Sequence, residues 1–243
     1  MSQPTLNPYP DLGTQFTAGM NAIIAGLPPS PTIDDLANEV IIYIEANYFI
    51  AASMSLAQKM EVKSVVYSCI NSFVNSQVRT MYGGMQKSFA DMMIGPSFTN
   101  GLPVDTLGNR ILDIQDNLSE NNLSVEMQTP LLLAIMIGQT CYTYWLAQIA
   151  LGGGSSWNTP YFVPAKVSAI ANVPYWVAAS MEGALIGARS TSRGMIETTT
   201  QIVSNEIIQA LIGALTIAAG KVIFLWIPRI QSNGRLNSPG WNC

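Results

Sequence analysis

At 243 residues the chain is long enough to bury a substantial core as one large domain or two small ones. Hydrophobic residues make up an ordinary 49%, but charged residues only 11%, against roughly 25% in a typical soluble domain. The net charge of −4, the absence of any Lys/Arg run and the complete lack of histidine exclude counterion-driven nucleic-acid binding, histidine triads and histidine metal sites.

Residues 1–31 carry Pro4, Pro8, Pro10, Pro28, Pro29 and Pro31, with Asp11 as the only charged side chain. Proline at this density predicts an extended N-terminal arm. Tyr9, Leu12, Phe16, Ile23, Ile24 and Leu27 make that arm adhesive, unlike the charged composition of a solvating tail. The start of the sequence shows neither a basic stretch nor an apolar run of the secretory kind, so the expected setting is intracellular and reducing.

A helical body is expected over residues 32–227. Thr32 and Asp35 stand at capping-box spacing, and Ile33, Leu36, Val40, Ile44, Tyr48 and Ala51 follow on one helical face, predicting a helix that continues to Met60. The pairs Val65/Val66, Cys69/Ile70 and Phe73/Val74 predict a second helix. Gly83 and Gly84 interrupt it, and "IGPSFTNGLP" reads as a loop. Leu107, Ile111, Ile114 and Leu118 predict a short amphipathic helix, whose Asp113, Asp116 and Glu120 read as a solvated face and not as an acid–base pair.

No charged residue occurs between Met127 and Ala165. Thr129 is the expected N-cap, Pro130 the first helical residue and Gly152–Gly154 the stop. Residues 130–151 have the length of a membrane span, which needs about 20 apolar residues. Gln128, Gln139 and Thr143 nevertheless share one stripe and need polar partners that lipid does not supply. Pro174 is the expected start of the next helix, and a final helix runs toward Pro228, with Lys221 inside its apolar stretch. Gly183 and Gly187 form a G-x-x-x-G spacing that lets helices approach closely. Residues 228–243 read as a short irregular C-terminal arm.

No catalytic constellation, cofactor loop or metal set emerges. Gly220-Lys221 fails the phosphate-loop pattern, because Leu215 and Val222 occupy two required positions. Cys69 and Cys141 read as small buried hydrophobes, and Cys243 has no assigned role. Glu45 and Glu182 lie in apolar helical stretches, where a basic partner is expected.

The expected fold is therefore all-α: a multi-helix bundle (32–227) with an extended arm (1–31) and an irregular C-terminal arm (228–243). The expected function is that of a non-enzymatic structural subunit of a large assembly, a minor capsid or virion component that cements neighbouring subunits and lies near a membrane. Its partners would be other protein subunits and not nucleic acid. The alternative is a helical integral-membrane protein with spans at 130–151, 174–190 and 207–227.

Overall fold

The computed structural model describes residues 7–49, 53–99, 102–151, 166–190 and 205–223. Within them the fold is all-α, with no strand: α1 (Pro10–Gly26), α2 (Ile33–Tyr48), α3 (Leu56–Val74), α4 (Val78–Met81), α5 (Gly84–Ile94), α6 (Pro96–Thr99), α7 (Val104–Glu120), α8 (Val125–Leu151), α9 (Lys166–Ala188) and α10 (Asn205–Ile223). The C-terminal arm, Gly152–Gly154 and Cys243 lie outside the described residues.

Over Pro10–Gly26, helix α1 takes the place of the extended path expected for residues 1–31. Its prolines bracket a helix instead of interrupting one. Pro10 occupies the first turn, where a missing N–H costs nothing, and Leu27 turns extended ahead of Pro28. Between them Leu12, Phe16, Met20 and Ile23 recur at helical spacing and are buried. They pack α1 against α8, α10 and α2, so this segment belongs to the core.

The single helix expected from Thr32 to Met60 is two helices. Its start stands as read: the Asp35 amide donates to Thr32 Oγ1 (3.2 Å) and the Thr32 amide to Asp35 Oδ2 (2.8 Å). A second capping box opens α3, where the Gln58 amide donates to Ser55 Oγ (3.3 Å) and the Ser55 amide to Gln58 Oε1 (2.8 Å). Glu45 braces the turn between them by accepting the Met54 amide at 2.8 Å and pairing with Lys59 at 2.8 Å. Lys59 is thus the base that the Glu45 position called for.

Three further boundaries differ from the sequence expectation. Inside the expected loop "IGPSFTNGLP", Pro96–Thr99 forms one helical turn that buries Phe98. Pro130 lies inside α8, which begins at Val125, because the hydrogen bond a proline forfeits there falls on the carbonyl of exposed Glu126. Pro174 lies inside α9 in the same way, opposite the carbonyl of exposed Ile170. By contrast, α7 follows its expected stripe, with Leu107, Ile111, Ile114 and Leu118 all buried.

α10 is the axis of the bundle. Every residue from Ile208 to Lys221 is buried, and α1, α2, α3, α8 and α9 all touch it. Its contact with α9 runs backbone to backbone. A methyl group on Gly183 would strike the Gly213 carbonyl, and one on Gly213 would strike the Gly183 carbonyl and lie 3.0 Å from the Gly187 Cα. The G-x-x-x-G spacing thus serves a helix crossing inside the protein.

Candidate functional site

Three places have to be weighed as a site: two where polar or ionisable groups gather and one exposed apolar face. The first is the interior around Glu182 and Lys221. Lys221 is 9% exposed, and its ammonium stands 5.2 Å from the centre of the Phe73 ring, a cation–π contact across α10 and α3. Among the described residues no ion pair within 4 Å joins Glu182 to Lys221. Burial pushes the Glu182 carboxyl up to about 7, with Lys221 and then Arg79 pulling it back. Burial pushes Lys221 down to about 8 against the opposing pull of Glu182. Arg79 Nε lies 3.3 Å from Asp91 Oδ1, an ion pair whose geometry falls short of a hydrogen bond.

Beside this group a polar tie fastens α9 to α5 and to the start of α8. The Tyr82 hydroxyl donates to the Leu185 carbonyl (2.7 Å), Arg189 donates to Gln86 Oε1 (3.1 Å), and Gln86 Nε2 donates to the Met127 carbonyl (2.8 Å). Arg189 also lies over the Tyr82 ring at 5.2 Å. Tyr82 and Gln86 are buried and Arg189 is exposed, and their contacts tie helices together.

The thiols are equally enclosed. Burial pushes both Cys69 and Cys141 up to about 12, which keeps them protonated and non-nucleophilic. Cys141 Sγ rests 3.1 Å from Ser180 Oγ, and that hydroxyl donates to the Trp176 carbonyl at 2.7 Å. Asp113, Asp116 and Glu120 are exposed on α7. No group of three or more Cys, Asp or Glu able to hold a metal occurs among the described residues.

The second place is the polar stripe of α8, which proves to be three separate arrangements. Gln139 Nε2 donates to Gln115 Oε1 on α7 (3.1 Å), Gln128 Nε2 to the Leu123 carbonyl (3.0 Å), and exposed Thr143 to the Gln139 carbonyl (3.1 Å). Where α8 faces α1, Gln139, Thr140 and Thr143 line one side of an open groove of about 660 Å³, with Thr14, Thr17 and Asn21 opposite. Gly13 sets the floor, because a methyl group there would strike the Thr140 hydroxyl and lie 3.3 Å from the Met136 sulfur. The sequence reading missed this groove. Its signal was the recurrence of Gly13, Thr17 and Asn21 at helical spacing between the prolines.

The third place is the outer face of α3, where Leu56, Met60, Tyr67 and Val74 are exposed by 76%, 63%, 40% and 42%. Met60, Tyr67 and Val74 recur every seven residues, with Leu56 four before the first, so they form one exposed apolar row along α3. The alternate positions that a coiled-coil seam would need hold Lys63, paired with Asp34 on α2, and Ile70, buried in the core.

Of the candidate spans, α8 is long and apolar enough to cross a membrane, yet 56% of its most apolar window is buried within the fold. The segment at 207–227 is enclosed by helices over its described part, and residues 176–181 and 183–187 of the 174–190 segment are buried as well. No family model, no curated protein and no solved structure matches this chain.

Proposed function

We propose that this chain is a non-enzymatic structural subunit of a larger protein assembly, joining neighbours, its own copies among them, through helix faces. A minor capsid or virion component that cements larger subunits is the finer form of this reading. The observation that carries it is the exposed apolar row of α3. Two large apolar side chains, Leu56 and Met60, stand more than 60% exposed one helical turn apart. The low charge content supports the same reading, since a surface poor in charge is suited to contact with protein. The joining role expected of the arm at residues 1–31 and of helix faces rests, with Pro10–Gly26 folded into the core as α1, on the face of α3.

A second reading, an integral-membrane protein, is favoured by the length and apolarity of α8. Fractionation without detergent separates the two. The assembly reading expects the full chain in the soluble fraction as a discrete species. Recovery only from the membrane pellet, resistant to alkali and released by detergent, would overturn it.

A further inference from the structure

We infer that Met60 is an oxidation switch on the joining face of α3: a peroxide turns its thioether into the sulfoxide, and the oxidised chain no longer docks on a second copy. The inference rests on the assembly reading and adds a control to it. Among the methionines of the described residues Met60 is the most open, 63% exposed against 47% for Met85 and 38% each for Met92 and Met127. Met20, Met54, Met93 and Met181 are buried. Met81 and Met136 are partly covered, and the Met136 sulfur also accepts from the Thr140 hydroxyl at 3.8 Å. Oxidation of a thioether needs the peroxide to reach the sulfur, so Met60 stands first in line.

Its place in the fold gives that reaction a consequence. Met60 lies one turn from Leu56 in the apolar row, whereas Met85 and Met92 belong to α5 and Met127 to α8. The sulfur lone pair attacks one oxygen of hydrogen peroxide, an S–O bond forms, the O–O bond breaks, and the second oxygen leaves as water. Sulfur gives up two electrons and the peroxide takes them. The sulfoxide oxygen then needs a hydrogen-bond donor once water is excluded, and an apolar contact supplies none. A face that closes dry over the thioether stays hydrated over the sulfoxide.

The test treats the full chain with graded hydrogen peroxide, follows each methionine by peptide mass spectrometry and reads association by sedimentation velocity. Met60 is expected to oxidise ahead of Met85, Met92 and Met127, and the concentration for half-association to rise about tenfold in step with it. Reduction by the two methionine sulfoxide reductases, one for each epimer, should restore the starting value. A chain carrying Met85→Leu, Met92→Leu and Met127→Leu should lose association to peroxide as the parent does, whereas Met60→Leu protein should sediment alike before and after treatment. Association that survives full oxidation of Met60, or that peroxide abolishes equally in Met60→Leu protein, would overturn the inference and leave the assembly reading standing. An untreated chain that stays monomeric at every concentration would remove that reading and the inference with it.

Discussion

The α2–α3 pair and the α9–α10 pair join helices by opposite means. The first is held at its edges by polar contacts: the Glu45 brace with Lys59 and the Met54 amide, and the pairing of Lys63 and the Tyr67 hydroxyl with Asp34, while a capping box starts each helix. Its outer face stays open, with an apolar row of Leu56, Met60, Tyr67 and Val74 beside exposed Ser64, Ser68 and Asn71. The second pair is held by backbone contact at Gly183, Gly187 and Gly213, and almost everything it presents is already covered. The contrast shows where this chain has surface left for a neighbour. The inner pair is spent on the fold, while the outer pair is closed on one side only.

If the inner crossing depends on the absence of side chains, Gly213→Val should be the most damaging change. It sets a branched side chain against the Gly183 carbonyl and should cost about 3 kcal/mol or prevent folding, read by denaturant unfolding. A normal midpoint would show that the helices separate easily.

The buried charge of the inner pair gives the next effect. Glu182 titrates in the fold at about 7, above its ordinary 4.5, so its protonated form is the one the fold favours. That contribution is fully present below about pH 4.5 and is lost as pH rises through about 7. Glu182→Gln should therefore leave stability unchanged at pH 4 and raise it by about 3 kcal/mol at pH 8. A variant less stable than the parent at pH 8 would mean that the ionised carboxylate makes a stronger tie to Lys221 or Arg79 than burial takes away.

The outer pair should respond least. Ser55→Ala removes one cap and should cost about 1 kcal/mol in the same unfolding measurement, with the outer apolar row intact. A loss as large as that of the glycine change would erase the distinction between the pairs.

What the sequence disclosed follows the same division. The α7 stripe and the Thr32 cap were legible because their signals are local: a 3.6-residue period and a three-residue spacing. The α1 helix was obscured because its prolines were counted across a segment that holds none between Pro10 and Pro28. The need of Glu45 for a base was visible, but naming Lys59 required the turn opened by Ser55. Gly183 and Gly187 announced a close approach, whereas Gly213 on another helix could come only from tertiary packing. Of the groove only the α1 side was legible, in the spacing of Gly13, Thr17 and Asn21, because the meeting of Asn21 with Tyr144 on α8 comes from tertiary packing.

The central claim is that the outer face of α3 joins this chain to its neighbours. Sedimentation velocity without detergent, comparing the full chain with the double change Leu56→Glu and Met60→Glu over a concentration series, tests it most directly. Both substitutions fall on exposed positions, so circular dichroism should report an unchanged helical fold. The account predicts that the parent chain sediments as a species larger than a monomer and the variant as a folded monomer. A parent chain that stays monomeric throughout, or a variant that associates equally well, would contradict it.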